Sequence, residues 1–205
     1  VNRAFTDELI GYDFINGVYS LNNEGESITM TLDADVCATA NNALNGRRGT
    51  VGVYNYETGE IICMVSSPTY DPAYPPSSPE EGTYINRFTS ATFVPGSIFK
   101  LVTAAAAIEN FDDAYSWTVN CTGSIDYGHG GKVTDLSGHG TVDLKKAHEV
   151  SCNCYFGRLA EKVGAGQMEV YTENAGLNKA LDINGIQTSE GPFDYPESGI
   201  GLAWT

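Results

Sequence analysis

Positive charge is scarce in this sequence: its 205 residues carry 11 Lys and Arg against 26 Asp and Glu, a formal charge of -15. Such a balance opposes binding to polyanions, so nucleic acids and anionic lipid surfaces are poor candidate partners, whereas a neutral or cationic one is easily accommodated. Long apolar runs are missing too. None approaches the roughly 18 residues of a membrane span, and the chain opens at Val1 with neither a basic n-region nor an apolar h-region. Any signal or membrane anchor is therefore expected outside this sequence. The five cysteines (Cys37, Cys63, Cys121, Cys152, Cys154) include no Cys-x-x-Cys pair, which argues against a complete disulfide framework and against a zinc site. Mostly free, buried thiols are expected. The histidines His129, His139 and His148 follow no helical or finger spacing, so structural or solvent-exposed roles are expected of them. Internal repeats and low-complexity tracts are absent, and no pair of carboxylates stands out as a glycosidase would require. Asp112-Asp113 and Glu80-Glu81 read as solvated loop charges. Tyr54, Tyr56, Tyr70 and Tyr74 read as strand and loop packing rather than a carbohydrate platform.

What remains is long enough to bury the core of one sizeable domain with a small appendage. Residues 1–27 lack a clear period and read as the tail of a preceding region. ITMTLDADVCATANNALN starts with strand-like alternation, then turns helical behind Asp33 as N-cap, with Val36, Ala40 and Leu44 on one face. Two β-rich runs in GTVGVYNYETGEIICMVSSPTYDP flank Glu57-Thr58-Gly59-Glu60 and read as an antiparallel hairpin. A helix is expected over 97–109, then an irregular connection up to His139-Gly140. Three short helical patterns follow, broken near Ser151 and again at 164–166. The remainder, from 178 onward, reads mainly as loop.

The stretch VPGSIFKLVTAAAAIEN sets Ser97 behind a Pro-Gly turn and Lys100 one turn further on, ahead of an alanine-rich run that reads as a helix buried nearly all round. Ser-x-x-Lys alone is weak, since two common residues at that spacing occur about once by chance in a chain of this size. Its setting at the positive end of a helix, with little polar company, strengthens it. For Lys100 to serve as a base its pKa must fall from about 10.4 towards about 7, a cost of about 4 to 5 kcal/mol. A hydrogen bond between Ser97 Oγ and the Lys100 amine is expected. The second candidate is Ser151-Cys152-Asn153, where a hydroxyl and an amide two residues apart can face one cleft. In isolation that triplet reads more simply as helix capping by Ser151 or Asn153.

Together Ser97-x-x-Lys100 and Ser151-Cys152-Asn153 match the first two elements of the serine acyl-transferase set S-x-x-K, S-D-N and K-T-G, with Cys in the middle of the second. Over nearly all of 27–205 the chain resembles the transpeptidase domain of penicillin-binding proteins, notably the monofunctional class B type. The matching segments are ITMTLDADVCATANNAL, the hairpin, INRFTSATFVPGSIFK, GHGTVDLKKAHEVSCNCYFGRLAEKVG and SGIGLAWT. The resemblance implies an α/β (α+β) fold, an antiparallel sheet flanked by helices, over 28–205. It implies Ser97 as nucleophile, Lys100 as base, Ser151 as proton relay and Asn153 as the substrate's amide anchor. It implies a peptidoglycan D,D-transpeptidase acting on D-Ala-D-Ala stem peptides and acylated by β-lactams, without metal or organic cofactor, at the outer face of the bacterial cytoplasmic membrane. A D,D-carboxypeptidase or β-lactamase-type hydrolase, or a non-catalytic β-lactam sensor, stays open as an alternative. No Lys-Thr-Gly or Lys-Ser-Gly occurs; the nearest imitation is Lys132-Val133-Thr134, read as loop. The chain as it stands is thus expected to be impaired in catalysis, and to associate with itself or with a second chain that completes the sheet.

Overall fold

The computed structural model describes residues 6–13, 18–19, 25–128, 131–193 and 195–196. It is mixed α/β, and every strand pair described is antiparallel. Among the described residues the strands pair as five two-stranded ladders. The chain divides into two units, residues 1–92 with 181–189, and residues 93–180 with 190–205.

The first unit starts with helix α1 (Thr6–Ile10) and a two-residue ladder of β1 (Tyr12–Asp13) and β2 (Val18–Tyr19). The alternation at 28–32 forms no strand. Only Thr31 Oγ1 and the Asp33 N–H reach the next strand, bonding to the carbonyls of Ile61 and Ile62, too few bonds for a ladder. Asp33 caps helix α2 (Ala34–Leu44), its carboxylate accepting the N–H groups of Asp35 and Val36 at 2.9 Å. Ala40 is buried on the expected face, with Val36 and Leu44 half-buried beside it. The hairpin pairs β3 (Gly49–Tyr54) with β4 (Ile61–Ser67) in the register Val51↔Val65. Its turn closes through the Asn55 side chain, which accepts the Glu57 N–H, and through Gly59 at φ 77°. A short helix, α3 (Arg87–Ser90), lies against both strands. Tyr54, Tyr56 and Tyr74 are exposed rather than packed, and Tyr70 has only the edge of Tyr84 at 4.8 Å. Glu80 is paired with Arg48 at 2.7 Å.

In the second unit a 3-10 turn (Gly96–Phe99) runs directly into helix α4 (Lys100–Asn110). That helix is not buried all round. Thr103, Ala106 and Ala107 are buried, while Leu101 and Ile108 are 62% and 39% exposed; just ahead of the helix, Ile98 on the 3-10 turn and Val94 before it are 70% and 93% exposed. Leu101 and Ile108, two turns apart, lie on the exposed side of α4, with the half-buried Ala105 between them. The region up to His139 holds no long helix, as expected, but it does hold strands. β5 (Val119–Cys121) pairs with β8 (Gly140–Val142), and β6 (Ser124–Gly128) with β7 (Gly131–Thr134). Lys132-Val133-Thr134 therefore lies on β7, with Val133 fully buried, and not in a loop. Three helices follow with the expected breaks: α5 (Leu144–Glu149), α6 (Asn153–Val163) and α7 (Ala165–Asn174). α6 is the central one, burying Cys154, Tyr155, Phe156, Leu159, Ala160 and Val163 against α4 and its neighbours. Asp113 is no free loop charge, since Lys162 holds both its oxygens at 2.7 and 2.8 Å. The late hairpin of β9 (Asp182–Ile183) and β10 (Ile186–Gln187), which returns to the first unit, turns through Asn184 and Gly185 at positive φ. It stands where loop is expected.

Gly191 fixes how the chain comes back to the Ser97 turn. A Cβ there would fall 2.3 Å from the Leu177 carbonyl oxygen, a backbone atom. Two residues on, Phe193 stacks on Phe99 of the 3-10 turn at 5.3 Å between ring centroids. Gly191→Ala is expected to destabilise the protein by about 1 to 3 kcal/mol through overpacking, with little gain to offset it from the unfolded state. Urea unfolding monitored by tryptophan fluorescence measures the loss.

Candidate active site

All four candidate residues lie in the second unit. Pro95 and Gly96, the latter at φ 58°, turn the chain into the 3-10 segment. With three residues per turn, such a segment eclipses positions i and i+3, so Ser97 and Lys100 share one face. Ser97 is exposed, and among the described residues its hydroxyl makes no hydrogen bond. The expected Ser97–Lys100 bond is thus not formed. Lys100 Nζ instead donates to the Ser151 carbonyl at 2.7 Å, to Ser151 Oγ at 3.0 Å and to Asn153 Oδ1 at 2.7 Å. The ammonium's three N–H groups thereby all find acceptors more than fifty residues away in sequence. Nζ also lies 5.5 Å from the centre of the Phe156 ring.

The Ser-Cys-Asn triplet joins two helices. At the C-terminus of α5 the Cys152 N–H bonds to the Ala147 carbonyl at 2.8 Å and the Ser151 N–H to the His148 carbonyl at 3.2 Å. These are the two bonds of a Schellman motif, whose turning residue adopts the left-handed conformation. Ser151 is that residue, at φ 53°, where glycine is the usual occupant. α6 then starts at once. Neither Ser151 nor Asn153 caps it, contrary to the capping expectation: Cys152 is the N-cap, its Sγ accepting the Tyr155 N–H at 3.4 Å. Asn153 is oriented from both ends, because its Nδ2 donates to the Thr134 carbonyl at 2.8 Å while its Oδ1 takes Lys100. Since a residue with a Cβ pays for left-handed backbone, Ser151→Gly is expected to be more stable than Ser151→Ala by about 1 kcal/mol. Thermal unfolding of the two variants side by side checks the difference.

Behind the triplet lies a residue absent from the sequence-based candidates. Asp135, its side chain 3% exposed, accepts the N–H groups of Asn153 at 2.7 Å and Cys154 at 3.0 Å, and the thiols of Cys121 at 3.3 Å and Cys152 at 3.4 Å. Burial alone would raise its pKa, but the N–H groups of Cys154 and Asn153, with the thiol hydrogen bonds, outweigh it and hold the carboxyl at about 2. Burial pushes the Cys152 thiol up to about 12, with Asp135 adding to the rise. Lys100 moves the other way. Burial lowers its pKa below the ordinary lysine value, against the opposing pull of Asp135.

All five cysteines are free, four of them buried and Cys37 half-buried, in line with the sequence reading. His148 is exposed, with its ring 5.3 Å from Phe156, and His129 lies outside the described residues. His139 has closer company than its spacing suggests. Cys121, Asp135, His139 and Cys152 bring four ligand atoms within 4.8 Å of one another. Two thiols, an imidazole and a carboxylate are donors that could hold a zinc-like ion.

The sequence profile of the penicillin binding protein transpeptidase domain matches residues 49–205. Among curated relatives, the chain is 27% identical over 187 residues to the peptidoglycan D,D-transpeptidase MrdA of Acinetobacter baumannii, covering 84% of this chain and 28% of that protein. It is 28% identical over 165 residues to the peptidoglycan D,D-transpeptidase PbpA of Mycobacterium tuberculosis, covering 70% of this chain and 33% of that protein. The D,D-transpeptidase domain of a peptidoglycan glycosyltransferase from Eggerthella lenta superposes over 99% of this chain and 49% of its own, with a TM-score of 0.82 and 28% identity. Penicillin-binding protein A of M. tuberculosis, solved as a penicillin G acyl-enzyme, superposes over 98% of this chain and 54% of its own, with a TM-score of 0.79; at 23% identity it speaks for the fold alone. The chain spans about a third of the curated relatives' length and about half of the solved chains.

Proposed function

Since this chain belongs to the penicillin-binding protein transpeptidase family, we propose that it carries the nucleophile region of a peptidoglycan D,D-transpeptidase, with Ser97, Lys100, Ser151 and Asn153 as its working residues. The observation that carries this reading is the convergence of Ser151 and Asn153 on Lys100 Nζ. Ser97 attacks the D-Ala-D-Ala carbonyl of a stem peptide, or the β-lactam carbonyl, and forms an ester; its proton passes to Lys100. Burial favours the neutral amine that must accept this proton. Once protonated, the ammonium has three acceptors already in place. Two of them, the Ser151 carbonyl and Asn153 Oδ1, can only accept. Ser151 Oγ can also donate, which fits it to pass the proton on to the leaving group. Asn153 Nδ2 spends one N–H on Thr134 and keeps the other for the substrate's amide carbonyl. The backbone N–H of Ser97 is the proposed donor to the oxyanion.

Extracytoplasmic location, a membrane anchor outside this sequence and the assignment of residues 1–27 to a preceding region belong to the same reading. Among the described residues no helix is long and apolar enough to cross a membrane. The exposed apolar side chains at and before the start of α4, Val94, Ile98 and Leu101, favour a further protein surface over them, from a second chain or a second copy. Mass mapping of the peptide that carries a penicilloyl group tests the assignment. The label belongs on Ser97; a label on any other residue overturns it.

A further inference from the structure

We propose that Asp135 is a positioning residue for acylation, acting through the backbone of the Ser151–Asn153 turn; this rests on the transpeptidase reading above. A helix leaves its first N–H groups without partners, and their hydrogen-bond acceptors fix where its first residues sit. At α6 those groups are divided between two side chains. Cys152 Sγ takes the Tyr155 N–H, and the Asp135 carboxylate takes those of Asn153 and Cys154, one on each oxygen. Charged acceptors hold N–H donors more firmly than neutral ones, and two bonds fix the direction of the turn as well as its distance. The next residue back sets the side chain. Asp135 follows Thr134, whose carbonyl aims the Asn153 amide so that Oδ1 faces Lys100. Residues 134 and 135 thus grip Asn153 at backbone and side chain together. The consequence falls on Ser151. Its left-handed conformation is stable only while the following chain is held, and its carbonyl and hydroxyl are two of the three groups that locate Nζ. Asp135 has no bond to Lys100. Beyond the pull of its charge on the lysine, it sets the lysine's place through the turn.

The test uses the intact protein that contains this chain, with Asp135→Asn and Asp135→Glu. Asparagine keeps the size but turns an NH2 donor towards one of the two backbone N–H donors. Glutamate keeps the charge and displaces it by one methylene. Stopped-flow acylation by a fluorescent penicillin separates the reversible step from the acylation rate constant, and end-point labelling counts the active molecules. For the asparagine variant the expected result is an acylation rate constant about 10- to 100-fold lower, as about an ångström of misplacement can cost, with reversible binding changed less than about threefold. The glutamate variant should fall between it and wild type. The backbone N–H proton resonances of Asn153 and Cys154 should move upfield in the asparagine variant as the bonds to the carboxylate are lost. A purely structural role would instead lower the number of active molecules and leave the rate constant of the remainder unchanged. That result, or wild-type acylation by folded Asp135→Asn, overturns the proposal. Failure of both variants to fold overturns it too, by assigning Asp135 to the stability of the unit. If the wild-type protein is not acylated at Ser97, the transpeptidase reading has failed rather than this one.

Discussion

Replacing Ser97 by alanine in the intact protein is expected to abolish covalent labelling by a fluorescent penicillin, a loss of at least about a thousand-fold, while the unfolding midpoint stays where it was. The two halves of this result have separate causes. An acyl-enzyme needs a hydroxyl at the attacking position, and no neighbouring group on the 3-10 turn can replace it, since Ile98 and Phe99 are hydrocarbon. Stability is indifferent because Ser97 is exposed and its hydroxyl bonds to nothing among the described residues; surface changes of this kind stay within about 0.5 kcal/mol. Gel fluorescence after labelling, set against a calorimetric scan of the same sample, measures both. Undiminished labelling of Ser97→Ala would move the nucleophile elsewhere.

The second large effect belongs to Lys100. Lys100→Arg keeps a cation that can still reach Ser151 and Asn153, yet cannot give up its proton near neutral pH. Lys100→Ala removes both the proposed base and the tie between the Ser97 turn and the Ser151 turn. Acylation should fall by about a hundred- to ten-thousand-fold in each, the range of a positioned general base. Only the alanine variant should also lose stability. The pH profile carries the sign. In the proposed mechanism acylation needs the neutral amine, so in the wild type it should fall as the pH is lowered through the Lys100 pKa and rise above it. Because burial depresses that pKa, the midpoint should lie below 10.5, the ordinary lysine value. Acylation rates measured across the alkaline range decide it. A Lys100→Arg protein with a wild-type profile would show that another group takes the Ser97 proton.

Where a feature depends on near neighbours, the sequence announces it. Asp33 followed by an apolar face, Glu57 to Glu60 between β-rich runs, and the breaks at Ser151 and Gly164 all appear in the structure where the pattern puts them. Helix α4 was harder to read. Alanine is small enough for either face, so AAAA fixes no direction, and the exposure of Leu101 and Ile108 shows only once Thr103, Ala106 and Ala107 are seen to take the buried side. Long-range contacts left no local trace. In TDLSGHG, Asp135 looks like any loop carboxylate, and its four donors are 14 to 19 residues away. His139 was illegible for the same reason, because its neighbours Cys121 and Cys152 come from a strand and a helix cap. Of the candidate site, the spacing within each short motif was visible in the sequence; which partner Lys100 takes was not.

The middle letter of Ser151-Cys152-Asn153 has a consequence for tolerance to change. Its two flanking side chains turn outward to Lys100, while Cys152 turns inward, is 0% exposed, and ends on Asp135 and the Tyr155 N–H. The tripeptide therefore serves two masters, the Lys100 side that dictates its ends and a closed interior that dictates its centre. A replacement for Cys152 is screened by volume and by the company it keeps with a buried anion, before any substrate arrives. Small residues with a donor to offer that carboxylate pass this screen; a bulky side chain or a second negative charge fails it, however well it would suit the chemistry outside.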